Sequence, residues 1–69
     1  MRVMLEEKRR ERDLTQAELA KLSGVTQPII SEIERGIIKD PRLSTLNRLA
    51  AAFECKVDDL LEDKKEEGA

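Results

Sequence analysis

The sequence predicts an all-α fold, a single compact domain built from five short helices. Its 69 residues are enough for one domain and no more. The apolar residues recur at intervals of three and four, which is the period of an amphipathic helix, and we expect no strands. Capping residues, glycines and prolines divide the chain into short segments. Five short amphipathic helices with tight connections pack around one core.

The composition excludes several classes of function. Phe53 is the only aromatic residue, and a single ring cannot form a stacking platform for single-stranded nucleic acid. With one cysteine, Cys55, and no histidine, one chain cannot assemble a disulfide framework or a zinc site. Because the sequence also lacks a glycine-rich phosphate loop and an acid–base pair with a pocket to hold it, we expect no enzymatic activity, no metal and no cofactor.

The distribution of charge and of apolar residues bears on location and partners. No stretch approaches ~18 consecutive apolar residues, and the N-terminal MRVMLEEKRR lacks the apolar core of a signal peptide, so we expect a cytoplasmic protein with no membrane partner. The net charge is −2, but the acid is concentrated in residues 54–69, which carry seven acidic and three basic side chains. Residues 1–53 carry ten basic and eight acidic ones, and this mildly basic part permits an anionic partner.

The first part of the chain predicts two helices. Good helix formers run from Arg2 to Arg12 and predict the first helix. Its inward stripe is expected to hold Met1, Leu5 and Arg9. The segment 15–18, TQAE, is typical of a capping box and begins the second helix, which ends at Gly24. The apolar side of this second helix is assigned to Leu19, Ala20 and Leu22.

The remaining sequence predicts three more helices. Thr26 caps the third helix, residues 27–35, with Pro28 in its first turn, and Gly36 follows its end. The fourth helix runs from about Leu43 to Phe53, and its apolar face is assigned to the residues at helical spacing: Leu43, Leu46, Leu49, Ala50 and Phe53. The apolar residues of a short fifth helix are Val57, Leu60 and Leu61. The predicted domain covers residues 1–62, and residues 63–69 form a solvated tail.

The segment from Gln16 to Ile33 predicts a functional unit, because two helices joined by a short turn with a glycine form a helix-turn-helix. Ala20 supplies the small residue required where the two helices cross. Gly24, four positions later, supplies the conformational freedom that the sharp turn needs. Ile30 and Ile33 point into the core at a spacing of three. The opposite face of the third helix therefore points outward, where it can contact a partner.

Five short stretches carry a family resemblance that covers residues 1–62. They are LTQAELA (Leu14–Ala20), SGVTQ (Ser23–Gln27), IERG (Ile33–Gly36), KDPRLSTL (Lys39–Leu46) and VDDLLE (Val57–Glu62). In these stretches the sequence resembles the Cro/repressor family of helix-turn-helix proteins, also called the XRE family, and especially the DNA-binding domains of lambdoid phage repressors. The resemblance implies a lambda repressor-like fold whose third helix enters the major groove.

The resemblance also implies roles for single residues. The positions that match base-reading residues are Thr26, Gln27, Pro28, Ile29 and Glu32. The positions expected at the DNA backbone are Arg9, Gln16, Ser31, Arg35, Lys39 and Arg42. Arg9 and Glu34 match an ion pair that ties the first helix to the third. Pro28 offers a base only van der Waals contact, whereas Glu32 is expected to accept a hydrogen bond from a cytosine amino group.

Two functions fit these features. The first is a transcriptional regulator, associated with the nucleoid, that binds a palindromic operator as a homodimer. Ile37 and Ile38, two branched aliphatic residues in a loop, lead us to expect one of them at the dimer interface beside the fifth helix. The alternative is an antitoxin or adaptor that mainly binds a partner protein through its acidic region, Glu54–Glu67.

Overall fold

The computed structural model describes residues 2–62, and within this range it contains five helices and one pair of very short strands. The helices are α1 (Leu5–Glu11), α2 (Gln16–Ser23), α3 (Gln27–Glu34), α4 (Leu43–Phe53) and α5 (Val57–Leu60). The strands are β1 (Arg2–Val3) and β2 (Leu61–Glu62). The predicted all-α, five-helix class is confirmed. Met1 and the expected tail, residues 63–69, lie outside the described residues.

Both ends of α2 are closed by the residues that the sequence indicated. The Glu18 amide donates to Thr15 Oγ1 over 3.0 Å, and the Thr15 amide donates to Glu18 Oε1 over 2.8 Å. These reciprocal bonds satisfy two amides that the helix itself cannot pair. At the other end Gly24 has φ of 77° and donates its N–H to the carbonyl of Ala20. A side chain at this left-handed position would be strained, so the turn favours glycine.

The N-termini of α3 and α4 are closed differently. Thr26 lies at the N-cap position of α3 with extended backbone angles, but its hydroxyl accepts no capping hydrogen bond. The predicted capping by Thr26 is therefore positional only. Arg42 is the N-cap residue of α4 and likewise makes no side-chain capping bond. Neither helix has an acidic residue in its first turn.

One core holds the helices together. Its fully buried large side chains come from every helix: Phe53, Leu5, Leu19, Ile30, Leu49 and Leu60. Among residues 2–62 the core contains no buried polar or charged residue. The core is therefore purely apolar, and each helix contributes at least one side chain to it.

The two strands correct the expectation that the chain has no strands. Arg2 pairs with Glu62 and Val3 with Leu61 in antiparallel register, and the Met4 amide donates to the carbonyl of Leu60 over 2.7 Å. The first helix therefore begins at Leu5 rather than Arg2. Leu61, expected on α5, instead has extended angles in β2. Two-residue strands are too short to show an alternating pattern.

Leu22 and Leu43 correct the predicted apolar faces. Leu22 is 60% exposed because the inward face of α2 is centred between Leu19, Ala20 and the half-buried Ser23. At about 100° per residue, Leu22 lies roughly 110° from that centre. Leu43 is 66% exposed, since the apolar stripe of α4 already reaches the edge of the core at Leu46. Helical spacing alone does not show where a stripe leaves the core.

Two further findings concern the described residues. No helix between residues 2 and 62 is long and apolar enough to cross a lipid bilayer. In the same range no three histidine, cysteine, aspartate or glutamate side chains lie close enough together to hold a metal ion.

Candidate nucleic-acid interface

A corner formed by α2 and α3 fixes the orientation of α3. Ile30 and Ile33 on the inner side of α3 are 0% and 4% exposed, and Val25 in the turn is also buried. The half-buried Ala20 packs against the same core cluster from α2. Because these side chains are buried, α3 cannot rotate about its axis without exposing them. Its outer face is held toward solvent.

Four of the residues expected to read bases, Thr26 to Ile29, lie at the N-terminal end of α3, and Glu32 lies in its second half. Thr26, Gln27 and Pro28 are exposed, while Ile29 and Glu32 are half-buried. Ile29 also packs against the core, so only part of its side chain is available to a partner. The arrangement offers an amide, a hydroxyl, apolar carbon and one carboxylate along α3 and its N-cap. These groups match the hydrogen-bonding and methyl groups of base edges.

Three helices meet in a polar network around Glu34. Arg9 donates from Nε to Glu34 Oε2 over 2.8 Å and from Nη2 to Glu34 Oε1 over 3.2 Å. Gln16 Nε2 donates to the same Oε1 over 2.9 Å. Arg9 Nη1 donates to the carbonyl of Leu14. The structure thus contains the Arg9–Glu34 pair implied by the resemblance, and it adds Gln16.

This network is largely shielded from water. The side chains of Arg9 and Glu34 are 13% and 5% exposed. The hydrogen bond with Glu34 raises the pKa of Arg9 above its ordinary value, against the opposing effect of burial. Since most of the Arg9 guanidinium is engaged inside the protein, its clearest role is to fix α1 against α3. The backbone contacts expected of Arg9 and Gln16 stay predictions.

The cations expected at the DNA backbone are separated by the loop that follows α3. On one side, Arg35 and Lys39 border a groove that is also lined by three acidic residues, Glu6, Glu7 and Glu34. On the other side, Arg42 borders a second groove together with Thr26 and Ile29 from α3. Ser31 is half-buried on α3 and lines neither groove. The structure therefore brings Arg42, but not Lys39, beside the N-terminal end of α3.

Three residues that the sequence analysis did not assign to the site line the second groove. They are Ser44, Thr45 and Arg48 of α4. A signal for them exists in the sequence, because Ser44 and Arg48 are four residues apart and share a helix face with Thr45. We name this surface the α3–α4 groove and define it by Thr26, Ile29, Arg42, Ser44, Thr45 and Arg48.

Two features stand apart from this surface. Ile38 packs against the core, whereas Ile37 is 56% exposed. Burial raises the pKa of the Cys55 thiol, with the charge of Asp59 acting in the same direction, so the thiol is less ionised at neutral pH than a free cysteine. Residues 63–67 of the acidic region expected to face a protein partner lie outside the described range.

The corner of α2 and α3, with one face of α3 held outward, defines the helix-turn-helix class of DNA-binding proteins. The helix-turn-helix family model matches residues 5–60 of this chain, which spans all five helices. The chain belongs to this helix-turn-helix family.

Two relatives from Bacillus subtilis (strain 168) are similar to the chain. The SPbeta prophage-derived uncharacterized HTH-type transcriptional regulator YopS is 37% identical over 57 residues, which are 83% of this chain and 77% of the relative. The HTH-type transcriptional regulator SinR is 33% identical over 58 residues, 84% of this chain but only 52% of SinR. The chain thus corresponds to about half of SinR. No solved structure matches the chain significantly.

Proposed function

We propose that this protein regulates transcription by sequence-specific binding to double-stranded DNA, with α3 in the major groove. One observation carries the proposal: Gln27 and Pro28 are exposed at the start of α3 while Ile30 and Ile33, on the same helix, are buried. A helix held rigidly with a polar outer face has the width and the chemistry to enter the major groove. The two relatives, both named as transcriptional regulators, support the same function.

Each outer residue of α3 has a distinct capacity for recognition. The Gln27 amide can donate and accept at once, which suits the adjacent acceptor and donor of adenine. Ile29 and Pro28 offer van der Waals contact to a thymine methyl group, and Thr26 offers a hydroxyl. The Glu32 carboxylate is an acceptor for the amino group of cytosine. The operator is therefore proposed to be read by mixed polar and apolar contacts.

The contacts that position the protein are proposed to go to phosphates. Ser31 and Gln16 supply neutral donors, and Arg35, Lys39 and Arg42 supply cations. Arg9 joins this set through the N–H groups that Glu34 and Leu14 leave available. Each cation that neutralises a phosphate releases a counterion, so affinity falls as salt rises. These contacts supply affinity and orientation but no sequence preference.

The functional unit is proposed to be a homodimer on a palindrome, in the cytoplasm at the nucleoid. Two α3 helices reach successive major grooves on one side of the duplex when the half-sites are ~34 Å apart. The exposed side chain of Ile37 supports an interface beside α5, because a branched aliphatic residue in a loop gains from being covered. Ile38 is already used by the core.

Selection of bound duplexes from a random library, at one stated salt concentration, tests the proposal. We expect a single enriched half-site, repeated in inverted orientation at a fixed spacing. Enrichment of one half-site without its inverted repeat would contradict the homodimer but would still support sequence-specific DNA binding. Failure to enrich any sequence at low ionic strength would overturn sequence-specific binding altogether.

A further inference from the structure

We infer that the α3–α4 groove holds the sugar-phosphate backbone of one DNA strand and that Arg48, together with Arg42, clamps it there. The inference rests on the proposed function, since it assigns the path of the DNA past α3. It adds a binding residue that lies outside both α3 and the loop. Its support comes from the position of Arg48, the charges that line the groove, and the continuity of the groove with α3.

Arg48 lies on α4 but reaches back over the turn between α2 and α3. Its Nη1 lies 3.4 Å from the position that a Cβ atom on Gly24 would occupy. The guanidinium is thus placed beside the N-terminal end of α3, where Thr26 and Gln27 begin the exposed face. Arg42 lines the same groove at the start of α4. Two cations therefore border one groove next to the base-reading residues.

No carboxylate lines this groove. Within residues 2–62 neither Arg42 nor Arg48 has an ion-pair partner, whereas Arg10 is paired with Glu6. Asp40 is near in sequence but borders a separate small cavity on the other side of the loop. The other groove, which Arg35 and Lys39 border, is lined by three glutamates. Of the two grooves, the α3–α4 groove is the one whose charge is complementary to a phosphate chain.

The helix ends on either side of the groove add to this charge. The amide groups in the first turn of a helix carry partial positive charge. In α3 and α4 no side-chain cap and no acidic residue of the first turn offsets it. In α2, by contrast, Thr15 and Glu18 close the N-terminus. Arg42 and Arg48 thus lie in a groove bordered by partial charges of their own sign, an arrangement that a bound anion stabilises.

The groove is continuous with the surface of α3. Thr26 and Ile29 belong to both, so a strand whose bases contact α3 can pass its backbone directly into the groove. Ser44 and Thr45 also line the groove, and hydroxyls are common donors to phosphate oxygens. A DNA strand is therefore the occupant that the groove fits by charge, by donors and by position.

The salt dependence of operator binding tests the role of Arg48. We expect Arg48→Gln to weaken binding to all sequences and to lower the slope of log affinity against log salt by about 1. Arg48→Lys keeps the charge and should keep most of the slope. Arg10→Gln removes an equal charge from an exposed position on α1 and should leave the slope unchanged. Unfolding by urea shows whether each variant is as stable as the wild type.

Methylphosphonate substitution, one phosphate at a time, identifies the contact itself. A neutral linkage at the clamped phosphate should weaken the wild type and Arg10→Gln but have little further effect on Arg48→Gln. Suppose the affinity of the wild type for its operator falls with salt, but Arg48→Gln and Arg10→Gln show the same slope of log affinity against log salt. The role of Arg48 at the DNA backbone would then be wrong, while the proposed function would stand. If the wild type binds no duplex, the proposed function fails first.

Discussion

At the residue scale, Glu34 is the point at which three helices meet. Its carboxylate accepts hydrogen bonds from Arg9 on α1 and from Gln16 on α2, and its side chain is only 5% exposed. The ion pair between Glu6 and Arg10 has the same chemistry, but the side chains are 42% and 72% exposed. Water screens the second pair far more than the first, so their contributions to stability should differ.

Glu34→Gln should lower the free energy of unfolding by about 1.5–3 kcal/mol, the range for a lost hydrogen bond to a charged group. The change keeps the shape of the side chain but removes the carboxylate that is hydrogen-bonded to the shielded Arg9 guanidinium. Glu6→Gln is the matched control and should change stability by less than about 1 kcal/mol. Urea unfolding measures both. Equal losses in the two variants would contradict the special position of Glu34.

Gln27 carries the main proposal for base recognition at the same scale. Gln27→Ala should reduce affinity for the selected operator by about 1–3 kcal/mol and relax the preference at one base pair. Stability should change little, because the Gln27 side chain is exposed. Asn47→Ala removes an exposed amide from α4, away from both grooves, and serves as the control. If Gln27→Ala bound the operator with unchanged affinity and base preference, Gln27 would not be a base-contacting residue.

At the scale of the element, the two threonine caps offer a direct comparison. Thr15 closes α2 with two reciprocal hydrogen bonds, whereas Thr26 occupies the N-cap of α3 without one. Thr15→Ala should therefore lower the free energy of unfolding by about 1 kcal/mol. Thr26→Ala should lower it by less than half as much. The comparison is made by thermal or urea unfolding, and a larger loss for Thr26→Ala would show that its hydroxyl does cap α3 in solution.

The elements that the sequence predicts well are those whose signals are local. The capping residues of α2 and the i, i+3, i+4 pattern of α4 lie within single helices, and the bounds of α4, Leu43–Phe53, agree with the prediction. The sequence does not predict the strands because Arg2–Val3 and Leu61–Glu62 pair with each other across nearly the whole chain. The exposure of Leu22 likewise depends on where α2 packs and not on its own pattern.

The same distinction applies to the candidate interface. The outward face of α3 follows from Ile30 and Ile33, whose spacing is visible in the sequence. The position of Arg48 over Gly24 depends on the packing of α4 against α2, which no local pattern reports. For this reason the sequence alone predicts the outward position of Gln27, whereas the α3–α4 groove depends on how the helices pack.

At the scale of the whole molecule, the exposed Ile37 is the residue to test for self-association. Ile37→Lys should shift the protein toward the monomer and weaken binding to a palindrome more than to an isolated half-site. Leu43→Lys changes a side chain of similar exposure at the start of α4 and should leave the association unchanged. Sedimentation equilibrium, with and without operator DNA, measures the effect. A wild type that stays monomeric at high micromolar concentration, even on its operator, would contradict the interface.

The antiparallel pairing of β1 with β2 brings residue 2 and residue 62 side by side, so the described chain is nearly a closed ring. New chain termini can therefore be introduced at another exposed position. If a short linker joined residue 2 to residue 62, and new termini were placed in the exposed loop at Lys39–Asp40, every helix would keep its neighbours. Such a circular permutant would place α4 and α5 before α1 in the chain, yet leave the corner of α2 and α3 intact.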